Sequence, residues 1–248
     1  MKTSYNPSIH RSSALIVALL VFAFSTGSSA QPINFSEYPA GKPRKDAFFN
    51  HFLPLALEEN KRILGVREKL ETYKNSEALS SEQKQWLDKT AATYRMPEFD
   101  AGSSEEWQEL LTKVDVIPPS LVMAQSANES AWGTSRFARE VNNYFGQWCF
   151  EPGCGIVPKR RSKNATHEVL AFDTAKQSVR SYMHYLNTSR VYKKLRAIRL
   201  SLRNKDKPVT GSPLATGLEK YSARGLAYVS EIKAMIRQNK LEKHDHSF

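Results

Sequence analysis

Residues 120–133 read "SLVMAQSANESAWG". They follow Pro118 and Pro119, which close the region before them. The stretch is mostly apolar on every side, which predicts a buried helix. Its single acid is Glu129. Residues three and four apart share a helix face, so Glu129 aligns with Gln125, Ser126, Leu121 and Val122, with Trp132 and Gly133 one turn on. A carboxyl between apolar walls has its ionised form disfavoured, and a raised pKa suits a general acid near neutral pH. The competing expectation is a helix-end glutamate pointing to water, the commoner fate of a lone glutamate.

The next segment, residues 140–150, reads "EVNNYFGQWCF". Asn143 offers a donor and an acceptor, Tyr144, Phe145 and Trp148 offer ring surfaces, and Gly146 permits an unusual backbone angle. Rings beside amides suit sugars, whose C–H faces stack and whose hydroxyls hydrogen-bond. Phe145 is better read as core. Cys149 and Cys154 are the chain's 2 cysteines. In an oxidising compartment they predict one disulfide around the Pro152-Gly153 turn. Half of a zinc site, with His167 the nearest further ligand, and a redox pair are the competing readings.

Upstream, Phe48, Phe52, Leu55, Ile63, Leu64 and Leu70 recur at helical spacing across 45–73. A cap at Ser80 or Ser81 opens a second helix, and Ser103 or Ser104, with acids in the first turn, opens a third. Residues 31–116 therefore read as a helical N-terminal region. Downstream, "SRFAREV" is a short helix, 142–166 is irregular and "HEVLAF" is a short strand. "DTAKQSVRSYMHYLN" is a helix capped by Asp173, followed by the basic helix "RVYKKLRAIRLSLR". "PLATGLEKYS" and "AYVSEIKAMIRQN" supply two more, and the tail "KHDHSF" is expected to fray. The fold class is mainly α, with a small β or loop lobe between helices.

The chain has 248 residues and 40% hydrophobic content, enough for a sizeable core. Lys2, His10 and Arg11 precede an apolar run over 14–24, and Ser28-Ser29-Ala30 offers a cleavage site. This predicts a secretory leader over 1–30. The run is too short for a membrane span, which needs about 20 residues. Export is the expectation, with no integral membrane segment in the mature chain. Net charge is −3 over 31–115 and +13 over 156–248. An exported basic half points to cell-wall polymer or an anionic membrane surface rather than nucleic acid, for which no motif is present.

Residues 123–146, "MAQSANESAWGTSRFAREVNNYFG", resemble the central motif of the bacterial cell-wall N-acetylglucosaminidases of the flagellar-hydrolase type, in the lysozyme-like superfamily. The family's pattern is roughly A-Q-x-A-x-E-S-x-W-G, a short gap, then N-L-F-G. Ala124, Gln125, Glu129, Ser130, Trp132, Gly133, Asn143, Phe145 and Gly146 match, and Tyr144 replaces leucine. The resemblance covers about 116–248 and marks 117–248 as the catalytic domain.

The resemblance implies an α+β lysozyme-like fold, peptidoglycan glycan strands as substrate, and Glu129 as the catalytic acid. It implies no metal or cofactor. The tyrosine of the family's Y-A-T-D-like motif falls at Tyr221, with Arg224 in place of the aspartate. Two carboxylates are usual in glycosidases, about 5–5.5 Å apart when retaining and about 6.5–9.5 Å when inverting. Glu168 is the first choice for the second, ahead of Asp173 and Glu151, and the substrate's N-acetyl group is an alternative. Gln125, Ser130, Trp132, Asn143, Tyr144 and Trp148 are the candidate substrate contacts, and the basic helices could hold the polymer's peptide carboxylates. A monomer is expected, and any regulatory protein is unidentified. The rival functions are a muramidase, a lytic transglycosylase and a non-catalytic wall-binding protein.

Overall fold

The computed structural model describes Met1, residues 33–159 and residues 161–245. Apart from Met1, the expected leader lies outside the described residues. The stretch after the two prolines is helix α4, Pro119–Glu129, and it is buried from Pro119 to Ala127. A helix apolar all round needs protein on every side. It has α1, Lys42–Lys74, on one flank, and α8, Gly211–Ala215, with α9, Leu226–Gln238, on the others.

Helix α1 turns Phe48, Phe52, Ala56, Ile63 and Leu70 inward. Its buried Asn60 grips the entry to α4: Nδ2 donates to the Ile117 carbonyl at 2.8 Å and Oδ1 accepts from the Ile117 N–H at 3.0 Å. Helices α2, Ser81–Thr93, and α3, Ser104–Lys113, follow. Ser80 and Gln83 form a reciprocal capping box on α2, and Ser103 caps α3.

After α5, Arg136–Val141, comes a three-stranded sheet of β1, Trp148–Cys149, β2, Gly155–Ile156, and β3, Glu168–Leu170, in the order β1-β3-β2. Both outer strands run antiparallel to β3. Two of these strands fall in 142–166, where irregular chain is expected; they are only two residues long, too short to leave a periodic signal. Cys149 and Cys154 form the disulfide, with Cα atoms 6.2 Å apart. Helices α6, Ala175–Thr188, and α7, Lys193–Arg203, lead to α8 and α9.

Two sequence expectations need correction. Thr174, not Asp173, caps α6, accepting from the Gln177 N–H while Gln177 reaches back. The tail does not fray at Asp245, which is buried. Its carboxyl accepts from the Ser120 N–H at 2.9 Å, the Ser120 hydroxyl at 2.6 Å and the Gly211 N–H at 3.0 Å. Helix α4 has no side-chain cap of its own, and an acceptor is favourable where free N–H groups gather at a helix start. No described helix is long and apolar enough to cross a membrane.

Part of the basic character of α7 belongs to the fold. Arg199, 1% exposed, donates to the carbonyls of Thr112, Asp115 and Val116 and to Asn187 Oδ1. Asp115 receives Arg203 at 2.6 and 2.5 Å, with Arg199 Nε at 3.5 Å and Arg67 Nη1 at 3.8 Å. Burial pushes the Asp115 carboxyl up, but Arg199, Arg203 and Arg67 outweigh it and hold it below the usual carboxylate range. Asp115→Asn should therefore cost about 3–5 kcal/mol in urea unfolding at neutral pH, because it leaves buried guanidinium charge unpaired. A folded pKa below the unfolded one stabilises above the ordinary carboxylate range. The difference from wild type should thus shrink as pH falls through the lowered folded pKa; a gap that stays constant into acid would contradict this.

Candidate active site

Glu129 is the last residue of α4. Ala131, Trp132 and Gly133 then follow with φ of +51°, +59° and +76°. Left-handed conformations at non-glycine residues cost roughly 1–2 kcal/mol each and persist only when the surroundings hold them. Here the Trp132 N–H donates to the Ala127 carbonyl at 2.9 Å. The Ser130 hydroxyl donates to the Ser126 carbonyl at 2.6 Å and accepts from the Gly133 N–H at 2.8 Å. At Gly133 a β-carbon would run into the Phe35 ring. This turn stops the helix abruptly and leaves the Glu129 carboxyl at its end.

The Glu129 carboxyl is half-buried, and its two oxygens have different surroundings. Oε1 accepts from the Tyr228 hydroxyl at 2.8 Å and from Asn128 Nδ2 at 3.4 Å. The Tyr228 oxygen accepts from Gln125 Nε2 at 2.8 Å, and Gln125 Oε1 accepts from the buried Tyr182 hydroxyl. Oε2 faces Gly146, where a β-carbon would stand 3.8 Å away. Gly146 is exposed and has φ +67°. Burial raises the Glu129 pKa above that of an ordinary glutamate, and the bonds from Tyr228 and Asn128 only partly offset it. Such a group can stay protonated toward neutral pH and give up a proton.

The other sequence candidates separate into distinct roles. Gln125 lies within the polar chain behind Glu129, and Ser130 closes the helix end. Asn143 is occupied by backbone: Nδ2 donates to the Gln147 and Leu170 carbonyls at 2.9 and 2.8 Å, and Oδ1 accepts from the Phe145 and Gln147 N–H groups at 3.3 and 3.1 Å. Tyr144 is core, 2% exposed, with its ring edge-on to Phe52 at 4.8 Å; burial pushes its hydroxyl up to about 12. Trp132 is half-buried against Phe48 and Phe49, with Lys45 Nζ 5.0 Å over its ring.

Trp148 is 58% exposed and stacks on His167 at 4.0 Å. The Tyr221 hydroxyl donates to the Phe145 carbonyl at 2.8 Å, and its ring stacks on Tyr228 at 5.5 Å. Glu168 turns into the lobe: Oε1 accepts from the Gly153 N–H at 3.2 Å and Oε2 from the Gly155 N–H at 3.0 Å. Glu151 and Asp173 are exposed. The structure thus gathers Glu129, Gln125, Gly146 and, through its stack, Tyr221. Sequence reasoning missed Tyr228 and Tyr182. The tyrosine in "LAYVSEI" sits on the inner face of an amphipathic helix, but spacing alone does not tell it from a core ring.

The family model for glucosaminidase, described as mannosyl-glycoprotein endo-beta-N-acetylglucosaminidase, matches residues 104–241. This chain belongs to the glucosaminidase family. It is 33% identical over 215 residues to Protein bax of Escherichia coli strain K12, spanning 87% of this chain and 76% of that protein. Among solved structures, the catalytic domain of the autolysin Auto from Listeria monocytogenes is similar at a TM-score of 0.45 and 14% identity, covering 84% of this chain and 92% of that one. The glucosaminidase match includes Glu129, Gly146 and Tyr228. At Gly146, alanine must take a left-handed backbone. Gly146→Ala should lower the melting temperature by about 2–4 °C in scanning calorimetry, from a cost of roughly 1 kcal/mol. An unchanged melting temperature would show that the turn tolerates a side chain.

Proposed function

We propose that this chain is an exported peptidoglycan hydrolase, an endo-β-N-acetylglucosaminidase that cleaves the GlcNAc-β-1,4-MurNAc bond with Glu129 as general acid. The observation that carries the reading is a half-buried carboxyl with a raised pKa whose Oε2 faces the gap left by Gly146. Protonated Glu129 gives its proton to the leaving glycosidic oxygen as the C1–O bond breaks. The resulting carboxylate keeps the Tyr228 and Asn128 bonds, which favour its charged form. Water then bonds to C1 through its oxygen, and the proton it loses is balanced by reprotonation of the Glu129 carboxylate, which restores the acid.

Of the candidate contacts, Trp148 keeps an open ring surface for a sugar. Gln125, Ser130, Asn143 and Tyr144 act by holding the site, and Tyr221 supports the Tyr228 ring. The leader-like residues 1–30, the Cys149–Cys154 disulfide and the kinship with Protein bax of Escherichia coli support a bacterial periplasmic location. The surface cations of the basic half are suited to the carboxylates of wall peptides.

Digestion of purified peptidoglycan, reduction and mass spectrometry should give N-acetylglucosaminitol ends. Glu129→Gln should lower turnover about 10²–10⁴-fold while leaving the fold intact. Muramitol or anhydro-muramic ends would identify a different bond or reaction, and equal turnover by the variant would remove Glu129 from the chemistry.

We assign Glu168 to bracing the disulfide loop. Glu168→Gln should lower the melting temperature, since the two glycine N–H groups bond to different oxygens of Glu168 and the amide sets an NH2 donor against one of them. Any activity loss should follow the loss of folded lobe. A turnover loss beyond about 10²-fold with an unchanged melting temperature would make Glu168 the second carboxylate instead.

A further inference from the structure

The two oxygens of Glu129 are inequivalent, and the reason lies three side chains away. A tyrosine hydroxyl has one hydrogen to donate. The Tyr228 oxygen already accepts from Gln125 Nε2, so its hydrogen is left for Glu129 Oε1 at 2.8 Å. Gln125 could turn its amide over and take that hydrogen for itself. Tyr182 opposes the turn, because its buried hydroxyl donates to Gln125 Oε1. The chain therefore has a direction: Tyr182 to Gln125 to Tyr228 to Glu129. Asn128 adds a second donor to the same oxygen. A carboxyl oxygen facing two donors is a poor seat for a proton of its own.

We propose that Tyr228 is a positioning residue: held by Gln125 and Tyr182, it reserves Oε1 of Glu129 as an acceptor and so directs the acid's proton to Oε2, the oxygen facing Gly146. The inference rests on the reading of Glu129 as the general acid. It adds which oxygen delivers the proton and what selects it. The gap at Gly146 is then where the leaving oxygen must lie, because a side chain there would stand 3.8 Å from Oε2. The remaining titratable groups around the carboxyl are the Arg224–Glu231 pair, whose effects on Glu129 oppose one another, the buried phenols of Tyr182 and Tyr192, and the partly buried Tyr221. The Tyr221 ring lies parallel to Tyr228 and keeps it upright in Tyr228→Phe.

The test is carbon NMR titration of the Glu129 carboxyl in the full chain, run on wild type, Tyr228→Phe and Tyr182→Phe beside pH profiles of kcat/KM on peptidoglycan. Tyr228→Phe removes a bond that favours the ionised form, so the midpoint should rise by about one pH unit. The basic limb of kcat/KM should move the same way, with kcat falling more than KM changes. Tyr182→Phe touches nothing on Glu129, yet it frees Gln125 to turn and should raise the midpoint by a smaller step.

A midpoint unmoved in Tyr228→Phe overturns the proposal. So does a shift in Tyr228→Phe with Tyr182→Phe titrating like wild type, because the direction would then not come from the chain. The titration needs no turnover. The expected midpoints in a protein that cleaves no glycan would support the hydrogen-bond assignment while the proposed function failed.

Discussion

A carboxyl at the end of a buried helix must be neutral, hydrogen-bonded or both, since burying an unpaired charge is prohibitive. Glu129 meets this constraint in both ways. Desolvation favours its protonated form, and Tyr228 waits to receive the anion once the proton leaves. The same position that makes the charge costly keeps a proton on the carboxyl at pH values where an ordinary glutamate has lost it. The rest of the architecture is concerned with keeping α4 buried along its length and open only at its last two residues.

Three devices far apart in sequence achieve this. Asp245 supplies the acceptor that the first turn of α4 lacks. Asn60 fixes the chain just before the helix by gripping Ile117 from α1. Beyond Glu129, the left-handed turn at Ala131–Gly133 is braced by Ser130, and Phe35 packs where a side chain at 133 would be. Helix α1 is thus a wall of the site helix, with its Phe48 and Phe52, and Phe35 before it, packed around Tyr144. A second tie joins α1 to α6, where Arg180 donates to Glu59 at 3.0 Å.

Much of this was legible in the sequence where the signal is local. The capping residues of α2 and α3, the disulfide and the buried helix around Glu129 each follow from residue type at a fixed offset. The errors fall where the packed chain, rather than residue type, decides which of several suitable groups takes a position. Asp173 reads as a cap because it precedes a helix, but Thr174 takes the position. Asp245 reads as a loose tail because its partner, Ser120, lies 125 positions away. Tyr144 and Asn143 read as a sugar-binding wall because ring and amide chemistry suit glycans. Tyr144 instead packs beneath α1, and the Asn143 amide is saturated by backbone. Tyr228 gave no sign, since its meaning depends on facing Glu129 across the core.

The central claim is that Glu129 meets the glycosidic oxygen through Oε2, in the gap beside Gly146. The most direct measurement is a crystal structure of Glu129→Gln with a peptidoglycan fragment spanning the site. The account predicts the bridging oxygen about 2.6–3.2 Å from whichever terminal atom of the substituted side chain faces Gly146, with the other terminal atom still against Tyr228. A glycan bound elsewhere, or one reached from the Tyr228 side, would contradict it.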